Sequence, residues 1–431
     1  MGPLLLDFVY LLILFFGLPF AVYKALTSSR FRAGWGERFG GVPDLPAQRR
    51  IWVHCASVGE TLLARSLVAT LESEYPGADV VVSTNTNTGR ETAERNFPGH
   101  TVFYFPLDFS LVVRRVFKRI KPSAVVLVEL EVWPNFLAVA RARGVPVAVV
   151  NGRITEKSAA SYRRLGPFSR RMFRGVCHFA VQNGEYAARL RSLGVTGDRI
   201  SISGTMKYDS VATEIEPDVV EAYRRQLRLK PDDVVLLAGC THPGEEALLI
   251  DYLKGRQPSD TPLRLILAPR HRGRSDAVAA LIDRSGLIAV RKTALDAGAV
   301  PEDFGSRRHV VLVDTTGELA RLYAVATVVF VGGSLVEHGG QNMIEPAALG
   351  KAVVFGPHTW NFRDTVELLL GAGGAVQVPG PEGLPAALDR LLSDPARREE
   401  LGARARRMVE ESKGATQRNF EAVKPFLDGD E

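Results

Sequence analysis

Residues 326–346, ATVVFVGGSLVEHGGQNMIEP, run from an apolar stretch through a glycine-rich turn into a segment that predicts a helix. The apolar stretch ends at Val331, and the turn begins at Gly332. A strand that ends in such a turn at a helix start leaves backbone N–H groups available for an anion. Asn342 and Glu345 are expected on nearly the same face of the first helical turn, because they are three residues apart. The segment indicates a nucleotide or sugar phosphate site, although such turns also serve tight packing alone.

Short apolar runs alternate with amphipathic runs from residue 51 onward, which is typical of parallel sheets covered by helices. The predicted strands of the first half are 51–56, 79–84, 101–105, 124–129, 146–150, 178–182 and 200–204. Those of the second half are 234–238, 263–268, 309–313, 327–331, 352–355 and 375–378. The pattern weakens between them, so we place a domain junction within residues 209–230.

The chain has 431 residues, which is more than one hydrophobic core usually serves. We predict an α/β protein with two Rossmann-like, doubly wound domains at 27–215 and 216–395. An N-terminal membrane anchor at 1–26 precedes them, and a helical segment at 396–431 is expected to pack back on the first domain. Open parallel sheets bind ligands at the carboxyl ends of their strands, so we expect the two domains to face a cleft.

The composition is that of a globular protein, with 46% hydrophobic and 24% charged residues and a formal charge of +6. The three cysteines, Cys55, Cys177 and Cys240, form no CxxC pair, so neither a disulfide framework nor a zinc site is expected. No recognition-helix pattern or mixture of aromatic and basic residues typical of RNA binding is present. We therefore expect no nucleic-acid partner.

The first 23 residues carry a single charge, Asp7, within an apolar run that is just long enough to span a bilayer. The alternatives are a merely buried helix and a cleaved signal peptide, although no basic region precedes the run and no small-residue cleavage site follows it. Pro19 leaves room for a shallower, interfacial helix. The positive-inside rule then places the rest of the chain in the cytoplasm, because basic residues follow the run: Arg30, Arg32, Arg38, Arg49 and Arg50.

Glu60 ends the loop HCASVGE at the start of a predicted helix. A carboxylate there is a candidate general base for an acceptor hydroxyl. The alternative is a first-turn glutamate that only complements the helix dipole, which also lowers its pKa. Partial burial would oppose that shift.

Other polar residues also follow predicted strands. Glu129 and Glu131 end a very apolar strand and are expected on the same side of it, either lining the cleft or paired with a cation. Lys207, in GTMKYD, follows the last strand of the first domain, where a lysine reaches a carboxylate or phosphate or is simply solvated.

The second domain adds Arg270 and His271 in APRH, and Thr316, Gly317 and Glu318 at another helix start. Arginine suits bidentate recognition of a phosphate or carboxylate. Asp314 or a threonine is expected to cap the helix after Glu318. The arginines and aromatic residues of 161–174 fit a surface that touches anionic lipid, or else a solvated basic face.

Eight sequence boxes in this order resemble the 3-deoxy-D-manno-octulosonic acid (Kdo) transferases of lipopolysaccharide synthesis. They are GWGERFG (34–40), SVGE (57–60), ELEVWPN (129–135), NGRI (151–154), MKYD (206–209), APRH (268–271), TTGEL (315–319) and VGGSLVEHGGQNMIEP (331–346). The resemblance extends from the anchor to about residue 370. NMIEP departs from the NPLE-type sequence of the family, which bears on the backbone contacts of Met343 and Ile344.

The resemblance implies an inverting glycosyltransferase of the two-Rossmann-domain type GT-B, which transfers Kdo from CMP-Kdo to the glucosamine disaccharide of a lipid A precursor. It implies that Glu60 is the general base and that Glu129 and Lys207 stabilise the transition state. The CMP site then comprises Pro269, Arg270, Thr316, Gly317, Glu318, Asn342, Met343, Ile344 and Glu345.

The same resemblance implies no metal and no cofactor, and a location at the bacterial inner membrane with the domains on the cytoplasmic side. A nucleotide-sugar epimerase of the same fold is the alternative, since fold alone does not fix chemistry. The apolar N-terminus and the SVGE box weigh against it.

Overall fold

The computed structural model describes residues 3–256, 262–301, 304 and 309–429, with backbone only at residues 3, 4, 20, 21, 29 and 30. The chain forms two compact units. One comprises the residues up to Ser210 together with those from Lys413 onward, and the other is Val211–Ser412. Residues 1 and 2 of the proposed anchor, the side chain of Arg30, and residues 430 and 431 of the C-terminal segment lie outside the described residues.

The described residues of the first unit contain a sheet of seven parallel strands in the order β3-β2-β1-β4-β5-β6-β7. The strands are β1 (Arg50–His54), β2 (Asp79–Thr84), β3 (Thr101–Tyr104), β4 (Ala124–Val128), β5 (Val147–Gly152), β6 (His178–Val181) and β7 (Ile200–Ile202). The helices are α1 (Pro3–Thr27), α2 (Ser29–Arg32), α3 (Trp35–Arg38), α4 (Val58–Glu74), α5 (Asn87–Asn96), α6 (Ser110–Ile120), α7 (Pro134–Ala142), α8 (Glu156–Arg164), α9 (Pro167–Phe173) and α10 (Gly184–Ser192).

The described part of the second unit contains another seven-stranded parallel sheet, in the order β10-β11-β9-β8-β12-β13-β14. Its strands are β8 (Val234–Thr241), β9 (Leu263–Pro269), β10 (Ile288–Arg291), β11 (His309–Leu312), β12 (Val328–Val331), β13 (Ala352–Phe355) and β14 (Ala375–Gln377). Its helices are α11 (Pro217–Gln226), α12 (Glu245–Gly255), α13 (Ser275–Arg284), α14 (Lys292–Asp296), α15 (Leu319–Val325), α16 (Ile344–Ala348), α17 (Arg363–Gly371), α18 (Leu384–Ser393) and α19 (Pro395–Ser412). The predicted pair of Rossmann-like domains is confirmed, while the cleft between them stays a prediction.

The central strands β4, β12 and β13 are apolar and fully buried because helices cover both faces of each sheet. Side chains alternate along β1, where Trp52 enters one core and Ile51 and Val53 enter the core on the opposite face. The Trp52 ring lies 5.1 Å from Phe136 and 5.2 Å from Phe103, centroid to centroid. Burial of large aromatic rings at this density is a major stabilising contribution to the first unit.

Several helices start at residues whose side chains accept a backbone N–H of the first turn. Ser57, Thr86 and Asn183 do this for α4, α5 and α10, respectively. Such caps satisfy N–H groups that have no partner within the helix. They fix where each loop at the carboxyl edge of the sheet gives way to its helix.

The C-terminal segment divides between the two units, which corrects the expectation that all of it packs on the first domain. α19 belongs to the second unit, where a Cβ at Gly402 would lie 1.9 Å from the carbonyl oxygen of Gly350. The last helix, α20 (Ala415–Asp428), belongs to the first unit. Its Phe420 and Val423 share a core with strand β1.

Strand β10 and helix α11 were not part of the sequence prediction. Strand β10 is a short edge strand whose Ile288 is 37% exposed, so it lacks a long apolar run. Helix α11 lies in the stretch that we read as the domain junction, and none of its residues is buried. Both gave a weak pattern because hydrophobic periodicity reports burial rather than secondary structure itself.

Among the described residues, no helix has both the length and the apolar character that a membrane crossing needs. The basic residues after α1 are also less uniform than the sequence suggested. Arg50 is fully buried and binds Asp79 at 2.6 Å, so it does not contribute to a basic surface. Arg38 lies 4.5 Å above the ring of Tyr104.

Candidate active site

The strand order of the first sheet reverses between β1 and β4, which are neighbours in the sheet although β2 and β3 lie between them in the chain. Ligands of doubly wound sheets bind at the carboxyl edge beside such a switch point. The loop after β1 leads into the first turn of α4, which contains Glu60, and the loop after β4 contains Glu129 and Glu131. The fold therefore brings the acidic residues of SVGE and ELEVWPN to one place.

Glu60 lies in the first turn of α4 and forms a reciprocal cap with Ser57. The Ser57 hydroxyl accepts the Glu60 N–H at 3.4 Å and donates to Glu60 Oε1 at 2.8 Å. Glu60 Oε2 accepts the Ala56 N–H at 2.7 Å. This is the S-x-x-E arrangement of a capping box, with the return contact made one residue before the cap. A carboxylate has about four acceptor positions, so lone pairs remain for a substrate proton.

The pKa of Glu60 is raised to about 7, chiefly by burial and then by the negative charge of Glu129. Glu131 raises it further, while the bonds from Ser57 and Ala56 lower it. The sequence left the direction of the shift open, and in the structure burial outweighs the hydrogen bonds that lower the pKa. A carboxylate with this pKa is partly ionised near neutral pH and takes up a proton readily.

Glu129 and Glu131 lie outside β4, which ends at Val128. Glu129 has a φ of 59°, in the left-handed region, and its N–H donates to the carbonyl of Val150 at 2.9 Å. The expectation that the two glutamates share one side of a strand is therefore wrong, because the backbone turns at Glu129. Burial raises the pKa of Glu131, and a bond from Trp133 opposes that shift.

Lys207 is half-buried in a short turn, Met206–Tyr208, that follows β7. Strand β7 lies three positions from β4 at the far edge of the sheet. Asn151, at the end of β5, ties the turn back, because its Oδ1 accepts the Met206 N–H at 3.1 Å. Strand β5 is the neighbour of β4, so this bond anchors the Lys207 turn near the acidic loop.

The glycine-rich turn after β12 differs from the sequence prediction in one respect. The N–H groups of Gly333, Ser334 and Leu335 donate to the carboxylate of Glu245 at 2.8, 3.1 and 3.0 Å. The N–H of His242 donates to the same carboxylate at 2.9 Å. These groups hold an anion as expected, but it is a side chain of the protein itself.

Other residues of the predicted nucleotide site do meet in the second unit. Asn342 Nδ2 donates to Glu345 Oε1 at 3.0 Å, and Asn342 Oδ1 accepts the Ile344 N–H at 3.0 Å. Cys240, at the end of β8, has its pKa raised chiefly by burial, lowered by Arg270 and raised by Glu345. Arg270 and Glu345 thus lie close enough to Cys240 to affect its charge. Arg270 is itself exposed.

Three residues of the predicted nucleotide site have no reactive side chain, so they could contact a nucleotide mainly through their backbone: Pro269, Met343 and Ile344. Pro269 is the last residue of β9, which places Arg270 just beyond the strand. Met343 and Ile344 are 0% and 2% exposed. Met343 is the N-cap of the five-residue helix α16, without a side-chain cap.

Thr316, Gly317 and Glu318 follow β11, the neighbour of β9. The carboxylate of Glu318 lies 3.2 Å from Lys292 Nζ and accepts the Tyr223 hydroxyl at 3.0 Å. Thr316 and Gly317 are exposed. Asp314 does not cap α15 as expected, because it accepts the N–H and hydroxyl of Thr293 at the start of α14 instead.

Sequence reasoning missed three groups at the carboxyl edge of the second sheet. One is Glu245. A sequence pattern could have indicated it, because Glu245 follows His242 by three residues, as Glu60 follows Ser57 in SVGE. The second is the ion pair of the buried Glu246 with the partly exposed Arg274, at 2.8 Å. The third is His242, whose ring stacks 4.0 Å from that of His338 and whose pKa falls to about 4, chiefly through burial.

Residues 33–210 match the family described as 3-deoxy-D-manno-octulosonic-acid transferase (kdotransferase). A 3-deoxy-D-manno-octulosonic acid transferase of Bordetella pertussis is 36% identical over 403 residues, covering 90% of each chain. That of Haemophilus influenzae is 31% identical over 431 residues, covering 99% of this chain and 96% of the relative. The chain belongs to the Kdo transferase family.

Solved structures that resemble this Kdo transferase family member include a glycosyltransferase from Rickettsia africae (TM-score 0.58, 11% identity, 89% of this chain and 99% of that one). A putative UDP-N-acetylglucosamine 2-epimerase from Listeria monocytogenes is also similar (TM-score 0.56, 14% identity, 89% of this chain and 98% of that one). At these identities the likeness shows the GT-B fold alone. The family match therefore decides between transferase and epimerase.

Proposed function

We propose that this protein is an inverting glycosyltransferase that moves Kdo from CMP-Kdo to the glucosamine disaccharide of a lipid A precursor. Family membership over nearly the full chain supports the reaction class. The observation that carries the proposal is Glu60, a capping-box carboxylate beside the switch point of the first sheet with a pKa of about 7. It has the position and the proton affinity that a base for a sugar hydroxyl needs.

In this mechanism the acceptor oxygen attacks the anomeric carbon of Kdo while the bond to the CMP phosphate breaks. The acceptor proton passes to Glu60, and CMP leaves with the bonding electron pair. Glu129 and Lys207 act on charge that develops during transfer. CMP is a good leaving group, so positioning, charge stabilisation and one base suffice.

The donor nucleotide is assigned to the second unit. Arg270 is exposed beyond β9 and supplies a guanidinium for an anion. Asn342 and Glu345 are already hydrogen-bonded to each other, which fixes their orientation before a ligand arrives. Thr316 and Gly317 add exposed polar backbone at the end of the neighbouring strand.

We place the protein at the bacterial inner membrane, held by α1, with both units on the cytoplasmic side. Helix α1 exposes large apolar side chains along its length: Leu5, Phe8, Leu11, Leu12, Ile13, Phe15, Phe16, Leu18, Val22, Tyr23 and Leu26. Tyr10 bonds to Asp108 and Asp7 bonds to Asn135 of α7, which supports a helix lying in the membrane interface rather than across the bilayer.

Basic side chains lie beside this helix. Leu6 of α1 lines a groove of about 450 Å³ together with Leu137, Met172, Arg141 and Arg171. Arg141 and Arg171 are exposed, as are Arg170 and Arg174 on and just after α9. An apolar helix flanked by arginines suits a surface of anionic lipid.

The proposed reaction is tested by mass spectrometry of a tetraacylated lipid A precursor after incubation with the protein and CMP-Kdo generated in situ. We expect the acceptor mass to rise by one or more Kdo units. An unchanged acceptor, from folded protein that binds CMP, would contradict the proposal. Interconversion of a UDP-sugar with its 2-epimer in the same preparation would support the epimerase instead.

A further inference from the structure

Asp108 fixes the start of helix α7. Its Oδ2 accepts the Asn135 N–H at 3.0 Å, and its Oδ1 accepts the Phe136 N–H at 2.7 Å. Asn135 Nδ2 also donates to the backbone carbonyl of Asp108 at 2.6 Å. Pro134 has no N–H to satisfy, so the carboxylate of Asp108 serves the next two groups in the first turn.

Helix α1 also forms hydrogen bonds with Asp108 and Asn135. The Tyr10 hydroxyl donates to Asp108 Oδ2 at 3.1 Å. Asp7 Oδ1 accepts Asn135 Nδ2 at 2.8 Å and the N–H of Ser110, the first residue of α6, at 2.9 Å. The Ser110 hydroxyl also donates to Asp7. Two polar side chains of an otherwise apolar helix thus bond to the starts of α6 and α7.

These bonds are more than an anchor requires. Asp7 is the only charged residue among the first 23, and a carboxylate in an apolar helix opposes insertion into lipid. In the structure Asp7 accepts hydrogen bonds from Ser110 of α6 and Asn135 of α7. An apolar residue at the same position would serve a simple tether better.

The start of α7 is connected to the acidic loop by a very short segment. Glu129 is held at the end of β4 by its bond to Val150, and α7 begins at Pro134. Val132, between them, is 7% exposed and packs in the core. Because so few residues join the two fixed points, a shift of α7 moves Glu131 and strains Glu129, which already has a positive φ.

We infer that Asp7 and Tyr10 are positioning residues for transfer, which hold Asp108 and the start of α7 and thereby orient the Glu129–Trp133 segment beside Glu60. The inference rests on the proposed function. It makes α1 a structural support of the catalytic loop as well as a membrane contact. The two roles separate in an assay that needs no membrane.

The experiment compares Tyr10→Phe with Tyr23→Phe in the full-length protein. Each variant keeps an aromatic ring on α1 and loses one hydroxyl, but the Tyr23 side chain is 63% exposed. With CMP-Kdo and a lipid acceptor dispersed in detergent, we expect Tyr10→Phe to lower kcat about three- to ten-fold, as loss of a hydrogen bond to a carboxylate allows. Its KM for CMP-Kdo and its flotation with lipid vesicles stay unchanged. Tyr23→Phe stays at the wild-type value in all three.

Asp7 provides a second pair of variants. Asp7→Ala removes the bonds that the Asp7 carboxylate forms with Ser110 and Asn135, whereas Asp7→Asn keeps one acceptor oxygen. We expect Asp7→Ala to lower kcat at least as much as Tyr10→Phe does, and Asp7→Asn to recover part of that loss. A kcat within two-fold of wild type for both Tyr10→Phe and Asp7→Ala would overturn the inference.

Amide hydrogen exchange tests the coupling without relying on activity. The peptide that covers residues 129–136 should exchange faster in Tyr10→Phe than in Tyr23→Phe, because the N–H groups of Asn135 and Phe136 lose a supported acceptor. Equal exchange in the two variants would also overturn the inference. Wild-type protein that transfers no Kdo would refute the proposed function, while the exchange result would still decide on the coupling.

Discussion

At the scale of single residues, Glu60 combines a structural role with the chemical role that we propose for it. It caps α4 with Ser57, and the same contacts fix its carboxylate at the edge of the sheet. The loop HCASVGE predicted that Glu60 lies at the start of a helix, but it was not used to predict the cap with Ser57. It did not predict the pKa, because that depends on burial and on Glu129, which arrives from a different strand.

The pH dependence of transfer follows from this pKa. The base acts when ionised, so kcat/KM should rise with pH and level off above about 7, the pKa of Glu60. Glu129→Gln removes the second-largest cause of the shift, so the rising limb should move to lower pH although the maximal rate falls. A rising limb centred near the ordinary glutamate value in the wild-type enzyme would contradict the assigned role.

Glu245 provides a second prediction at this scale. Its carboxylate accepts four backbone N–H groups, whereas a glutamine offers one oxygen and places an NH₂ against N–H donors. Glu245→Gln should lower the free energy of unfolding by about 1–3 kcal/mol and weaken CMP binding. Urea unfolding and calorimetric titration measure the two effects.

Glu337→Gln is the matched control, because Glu337 is exposed in the same loop after β12. It should leave both quantities at their wild-type values. A Glu245→Gln protein with unchanged CMP affinity would contradict the prediction that CMP binding depends on the order of this loop.

At the scale of elements, the periodicity of the chain predicted most strands, because both faces of each sheet are buried. It missed β10 and α11, whose exposure leaves no apolar pattern. The glycine-rich turn after β12 was located correctly, but its N–H groups bind Glu245 instead of a ligand. Local sequence indicates that such a turn holds an anion, while only the fold shows which anion it is.

The GWGERFG box makes a prediction for an element of unassigned role. Gly34 has a φ of 77°, and a Cβ there would lie 2.2 Å from the ring of Tyr104. Glu37, in the same box, accepts the Tyr104 N–H at 2.8 Å, so the segment packs on strand β3. Gly34→Ala should lower the free energy of unfolding by about 1–3 kcal/mol in urea titrations.

Gly36→Ala tests whether the effect is specific to that site. Gly36 lies in α3, and a Cβ there meets nothing within 4 Å. The substitution should be neutral or stabilising by up to about 1 kcal/mol, because alanine favours helix. Equal destabilisation by both substitutions would contradict the packing of this box.

At the scale of the whole molecule, the residues of the proposed site divide between the two units. Glu60, Glu129 and Lys207 lie in the first unit, and the residues assigned to the nucleotide lie in the second. The sequence predicted this division because motif positions follow strand ends. It predicted the whole segment 396–431 on the first domain and did not indicate that α19 belongs to the second unit. Only α20 joins the first unit, where Asn419 Oδ1 accepts the Asn151 N–H at 2.7 Å.

The proposed membrane attachment by α1 is tested at the same scale. Deletion of residues 1–27 should abolish flotation with vesicles that contain phosphatidylglycerol, because it removes the exposed apolar face of α1. CMP binding should persist, since the residues assigned to the CMP site lie in the second unit. Arg141→Gln with Arg171→Gln should weaken flotation of the full-length protein at low salt only. Unchanged flotation of the truncated protein would contradict anchoring by α1.

The most direct test of the account compares wild type, Glu60→Gln and Glu74→Gln by mass spectrometry of the lipid acceptor. Glu74 is a partly exposed glutamate at the other end of α4 and serves as the control. We predict Kdo addition by wild type and Glu74→Gln, and a loss of several orders of magnitude for Glu60→Gln with its fold and CMP binding retained. Transfer by Glu60→Gln at a rate near that of wild type would contradict the account.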